Sequence, residues 1–134
     1  MMKTKIALSL LVALLVVVYV SGGLVTFDDP SDLGFAPTSL VLTYPGVLPF
    51  IHRVLGLVLV LGWIALTVSL RGELAYKRSA LTAALILLEL VLGLLISVNT
   101  ARPVLSDYLV LAHFSVSGLI IIAGGLTLIK GLKS

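Results

Sequence analysis

Residues 50–70 read FIHRVLGLVLVLGWIALTVSL, an apolar run with a histidine and an arginine close to its start. A helix that crosses the hydrocarbon core of a bilayer needs roughly 20 predominantly apolar residues, and this run has that length. Three further stretches meet the same requirement, at about 6–25, 79–99 and 108–129. The sequence therefore predicts an all-α integral membrane protein, a four-transmembrane-helix bundle. Residues 1–134 form a single membrane domain, and residues 26–49 form its outer loop.

The composition agrees with this class of protein. Of the 134 residues, 60% are hydrophobic and only 11% are charged, which is far from the composition of a soluble domain. The expected surroundings are a lipid bilayer, and no nucleic-acid partner is expected. The chain contains no cysteine, which excludes disulfides, Cys-ligated zinc and iron–sulfur clusters.

The distribution of basic residues predicts the orientation in the membrane. Seven of them lie before the first run, between the second and third, or after the fourth: Lys3, Lys5, Arg71, Lys77, Arg78, Lys130 and Lys133. Under the positive-inside rule these segments are cytoplasmic, so both termini are cytoplasmic and the protein is a multi-pass protein of the cell membrane. The first run also has features of a secretory signal, but its extension to Val25 favours a retained helix.

The two histidines are the most informative polar residues. His52 and His113 lie near the outer starts of the second and fourth runs, roughly 6 and 9 Å below the surface at about 1.5 Å per residue. One such histidine is adequately explained as a polar interface residue, whereas two at matched depth favour a shared site near the extracytoplasmic face. Zinc usually takes three or four protein ligands, but a porphyrin iron needs only two axial ones. The pattern predicts that His52 and His113 bind a heme iron.

Two ionisable residues accompany the histidines. Arg53 either grips a heme propionate with two parallel hydrogen bonds or extends to the lipid headgroups. Glu89 lies near the middle of the third run, where a charge is costly, and Gly93 follows it at helical spacing. This face is compatible with a proton path or with the wall of a substrate groove. The residues by themselves slightly favour a third interpretation over a catalytic role, namely a neutral carboxylic acid that joins helices by hydrogen bonds.

Four segments, in this order and spacing, resemble one half of heme A synthase: SGGLV (21–25), FIHRVLGLVLVLGW (50–63), LLELVLGLL (87–95) and LVLAHFSVSGL (109–119). Members of that family usually have two four-helix bundles, each with a histidine pair on its second and fourth helices. One bundle holds heme b, and the other receives heme O and oxidises a ring methyl to a formyl group, giving heme A for terminal oxidases. The resemblance implies that His52 and His113 are the axial pair, with heme b and/or heme O and heme A as cofactors. It also implies a homodimer that replaces the two fused bundles, heme O as substrate, and heme O synthase as a partner.

The chain departs from the family at two places that concern catalysis. Many members carry a glutamate three residues before the first histidine, where this chain has Pro49, and many carry a cysteine pair in the outer loop. Where the family has glutamine in the third helix this chain has Glu89, which becomes the candidate catalytic residue. Further candidate acids stand in the outer loop: Asp28, Asp29 and Asp32. The predicted function is a membrane oxidoreductase, with a b-type cytochrome that carries electrons or heme and a structural subunit without a cofactor as alternatives.

Overall fold

The computed structural model describes residues 2–28, 47–73, 75–98 and 102–133. These residues form four α-helices: α1 (Met2–Asp28), α2 (Val47–Ser69), α3 (Tyr76–Val98) and α4 (Pro103–Lys133). Each helix contains a stretch long and apolar enough to cross a membrane: Thr4–Val25, Leu48–Ser69, Tyr76–Ile96 and Val104–Leu132. The predicted all-α architecture, with four helices long and apolar enough to span a membrane, is therefore confirmed.

The helix ends differ from the predicted spans by a few residues. α1 and α4 continue beyond 6–25 and 108–129 at both ends, because a helix ends where its backbone hydrogen bonds end rather than where its apolar run does. α4 begins at Pro103, a position that suits proline because the first N–H groups of a helix have no intrahelical partner. Of the predicted outer loop, residues 29–46 lie outside the described part of the chain.

The helices pack as a closed square. α1 packs on α2, α2 on α3, α3 on α4, and α4 returns to α1, with the α1–α2 and α3–α4 contacts the most extensive. The turn between α2 and α3 is short and includes Gly72 with φ +89°, a conformation that glycine adopts without a steric penalty. The histidine-bearing helices α2 and α4 therefore occupy diagonally opposite corners and face each other across the bundle.

One half of the bundle is a close-packed core. Its buried residues come from the first half of α1, the second half of α2, the turn between α2 and α3, and the middle of α3 and of α4: Leu8, Leu15, Leu59, Val60, Trp63, Leu66, Leu70, Ala75, Ile86 and Ile120. Trp63 is fully buried, and its indole N–H donates to the Ser79 carbonyl oxygen at 3.2 Å. Gly124 faces it so closely that a Cβ there would lie 3.3 Å from the indole ring. Small residues at such crossings let membrane helices approach and gain van der Waals contact.

Hydrogen bonds between helices supplement this packing. Thr67 donates to the carbonyl oxygen of Trp63, one turn earlier, at 2.8 Å. Its hydroxyl oxygen also lies 2.7 Å from Ser79 Oγ, so the Ser79 hydroxyl is the donor in the bond that joins α2 to α3. Interhelical hydrogen bonds in membrane proteins contribute about 0.6 kcal/mol on average, so they assist packing rather than replace it.

Truncation of Trp63 is expected to destabilise the bundle strongly. Trp63→Ala removes the largest fully buried side chain and leaves a cavity, for which losses of about 3–5 kcal/mol are usual. The adjacent Ile64 is 39% exposed on the outer face of α2, so Ile64→Ala is the matched control and should change stability little. The free energy of unfolding in detergent, followed by helical circular dichroism, measures both. Equal effects of the two substitutions would contradict the position of the core.

Candidate functional site

The other half of the bundle contains a cavity of about 350 Å³ lined by all four helices. This volume lies within the range of roughly 300–1,000 Å³ that is usual for small-molecule sites. Most lining residues are apolar, and the polar side chains among them belong to a small set: Tyr19, His52, Arg53, Glu89, His113 and Ser117. The structure thus brings together the four residues that the sequence predicted for the heme site and for catalysis, although they come from three different helices: His52, Arg53, Glu89 and His113.

His52 is held by two adjacent residues of α1. Its Nδ1 lies 2.9 Å from Ser21 Oγ, and the Ser21 hydroxyl lies 2.8 Å from the Val18 carbonyl oxygen, to which it donates. Because the only hydroxyl hydrogen of Ser21 is used in that bond, Ser21 Oγ accepts the Nδ1–H of His52. The neutral imidazole therefore keeps the lone pair on Nε2, the nitrogen available to a metal.

Gly22 provides the space in which the His52 ring lies. A Cβ atom built at Gly22 would be 2.8 Å from His52 Cε1, closer than carbon atoms pack. Any larger residue at this position would displace the ring. Gly23, the next residue, has no atom within 4 Å of the equivalent position, so the close approach is specific to Gly22.

His113 also lies with Nδ1 toward a neighbouring helix, here α3, but without the hydrogen bond that His52 has. Its Nδ1 lies 3.3 Å from Glu89 Oε1, which also accepts a hydrogen bond from Ser117, and its Cε1 lies 3.5 Å from a Cβ built at Gly93. His113 Nδ1 and Glu89 Oε2 are buried and make no hydrogen bond within the described residues. Buried polar atoms are nearly always paired, so these two atoms are exceptions among the described side chains.

Arg53 follows His52 on α2, is half-buried, and lines the cavity. Pro49, the residue in place of the acid found in the resembling family, lines it as well. The alternative acids Asp29 and Asp32 lie outside the described residues, as does the side chain of Asp28. Glu89 is therefore the one carboxyl group among the described lining residues.

Two features of the site were missed from the sequence. The sequence did not lead us to predict a role for Ser21 or Gly22. The signal that could have identified them is that a small polar residue and a glycine interrupt a run rich in leucine and valine at the depth of a histidine. The rings of Tyr19 and Phe114 also line the cavity, meeting edge to face with centroids 6.4 Å apart, and they join α1 to α4. No periodicity in the sequence predicts that aromatic pair.

The donor set suits a macrocycle better than a bare ion. Across the described ranges, no group of three or more His, Cys, Asp or Glu side chains is placed to hold a metal ion. Two imidazoles on diagonal helices of one cavity are too few for a zinc site but are the usual complement of a bis-histidine heme.

Fold and site together define a class: an all-helical protein with four helices able to cross a membrane and with two histidines on one internal cavity. Comparison with known proteins adds nothing more specific, since no family model, no curated protein and no solved structure matches the chain.

Proposed function

We propose that the cavity binds heme, with His52 and His113 as axial ligands through Nε2. One observation carries the proposal: the two histidines line the same cavity from diagonal helices, each with Nδ1 turned toward an oxygen of a neighbouring helix. That arrangement is how proteins orient metal-binding histidines, because the partner at one nitrogen sets the direction of the other.

Arg53 is the proposed partner of a heme propionate. It stands beside His52 on the cavity wall, and a guanidinium binds a carboxylate through two parallel hydrogen bonds. We also propose that both termini are cytoplasmic and that the protein lies in the cell membrane, as the basic segments indicate. The starts of α2 and α4, and with them the cavity, then lie near the extracytoplasmic face, where propionates reach water.

The reaction proposed is that of heme A synthase: oxidation of a ring methyl of heme O to a formyl group, giving heme A for terminal oxidases. The conversion balances with dioxygen as oxidant, since one oxygen atom enters the formyl group and the other leaves as water. The bound heme supplies the redox chemistry, and the protein supplies orientation and electrostatics. His52 and His113 would hold the macrocycle, Arg53 would bind one of its propionates, and Glu89 is the candidate to hold a proton. A homodimer, with heme O synthase delivering the substrate, follows from the same resemblance.

A b-type cytochrome that carries electrons or heme without modifying it is the second candidate. Two observations favour it over the enzyme: Pro49 stands where the resembling family has an acid, and Glu89 contacts Ser117 and His113 instead of standing free in the cavity. Both candidates need the same heme site and differ only in whether the ring is oxidised.

Expression in a host that makes heme O separates the candidates. We expect a purified protein with a six-coordinate heme spectrum, from which heme A is extracted. Extraction of heme b or heme O alone would establish the carrier, and a colourless protein would exclude both.

For the catalytic role, Glu89→Gln should lower the heme A yield at least about 100-fold, the low end for general acid–base catalysis. Asp107→Asn, at an exposed acid on α4, is the matched control and should leave the yield unchanged.

A further inference from the structure

The two histidines contact oxygens of different chemical kinds. His52 Nδ1 meets the neutral hydroxyl of Ser21 at 2.9 Å, and His113 Nδ1 lies 3.3 Å from a carboxyl oxygen of Glu89. In its ionised form, Glu89 would accept from His113 Nδ1–H a hydrogen bond roughly twice as strong as one between neutral groups. A carboxylate at Nδ1 also makes the imidazole a more basic ligand through Nε2.

The residues next to Glu89 and Ser21 strengthen the chemical difference between the two histidine contacts. Ser117 donates to Glu89, so the carboxyl group is held from α4 and cannot swing away from His113. Glu89 Oε2 and His113 Nδ1 have no hydrogen-bond partner among the described residues, and a small rotation of the ring would join His113 to the carboxylate. Ser21, by contrast, already uses its hydrogen on Val18, so it offers His52 only a hydroxyl lone pair.

The space beside the two rings differs as well. Gly56 follows His52 by one turn on α2 and lines the cavity, and a Cβ built there meets no atom within 4 Å. The corresponding position after His113 is Ser117, whose hydroxyl is engaged with Glu89. A small ligand therefore has open space at Gly56, one turn after His52, whereas the Ser117 side chain occupies the equivalent position after His113.

We infer that the two axial ligands are inequivalent: Glu89 makes His113 the permanent ligand, and His52 is the one that a small diatomic molecule displaces. Ser21 is then a positioning residue, Glu89 positions His113 in addition to its proposed catalytic role, and the His52 side of the cavity would bind molecules of the size of dioxygen or carbon monoxide. This inference rests on the proposed heme site. It adds to the proposed function the side of the heme site on which the oxidant binds.

Carbon monoxide bound to the reduced, heme-loaded protein tests the inference, since its infrared stretching frequency depends on the basicity of the ligand on the opposite side of the iron. If carbon monoxide has displaced His52, Glu89→Gln shifts this frequency and Ser21→Ala does not.

The carbon monoxide association rate is the second readout. Ser21→Ala should weaken the bond from His52 to iron and raise this rate by about 10-fold or more, the usual scale for losing such a partner. Ser21→Thr keeps the hydroxyl and should restore the wild-type rate. Ser115→Ala, at an exposed serine of α4, is the control for both readouts.

The outcomes separate this inference from the proposed function. A wild-type protein without heme overturns both. A heme-loaded protein whose carbon monoxide frequency shifts with Ser21→Ala, or does not shift with Glu89→Gln, overturns only the inequivalence of the ligands. If Glu89→Gln fails to load heme, Ser117→Ala is the second variant: it removes the donor that competes for Glu89 Oε1 and should shift the frequency in the direction opposite to that expected for Glu89→Gln. An unchanged frequency in Ser117→Ala would overturn the inequivalence of the ligands.

Discussion

Replacement of either His52 or His113 by alanine is expected to abolish the six-coordinate heme spectrum, and replacement of both should give a colourless protein. A bis-histidine heme has its iron bound to the chain only through the two axial nitrogens, so each variant loses one of two bonds. Visible spectroscopy of the oxidised and reduced proteins, together with the molar ratio of extracted heme to protein, measures the loss. Helical circular dichroism should stay unchanged, because both rings lie at the cavity and not in the packed half of the bundle.

The two single variants should also differ from each other. His113→Ala removes the ligand supported by Glu89, and we expect it to retain less heme than His52→Ala. Asp107→Asn and Ser115→Ala change exposed residues on the same helix as His113 and should keep the full spectrum. A wild-type spectrum in either histidine variant would remove that histidine from the site.

Gly22→Ala is expected to lower heme affinity by about 10–100-fold or more, although it adds only one methyl group. The new Cβ would lie 2.8 Å from His52 Cε1, so the ring must move from its contact with Ser21. Loss of such an orienting contact usually lowers metal affinity by about 10–100-fold. Alanine has a higher helix propensity than glycine by roughly 1 kcal/mol, so α1 should be no less stable in the variant.

Gly23→Ala is the matched control for this prediction. It makes the same chemical change one residue later, at a position with no atom within 4 Å, and should bind heme as the wild type does. Heme titration of the two purified proteins, with the affinities compared directly, gives the result. Similar affinities for both variants would show that the His52 ring does not rest on Gly22 when heme is bound.

The elements of the fold were predictable because the bilayer imposes a length on each helix. Residues 50–70 and three similar runs had to be helical, since a backbone in hydrocarbon must satisfy its own hydrogen bonds. The exact ends of α1 and α4 were not predictable from apolar length, because these helices continue beyond it. The matched depth of His52 and His113 was predictable as well. The rise per residue of an α-helix is constant, so depth follows from counting residues from the start of each helix.

The contacts that make the site specific could not be derived in this way. Depth along a helix says nothing about rotation around it, and hydrophobic periodicity is weak when lipid and core are both apolar. Only the packed bundle shows Ser21 and Gly22 against His52, or Glu89 against His113. By itself, the sequence determined four helices long and apolar enough to span a membrane and two histidines at matched depth along them, because run length and rise per residue are local properties. The tertiary structure alone decided which oxygen faces each ring, because that depends on how four helices are rotated against one another.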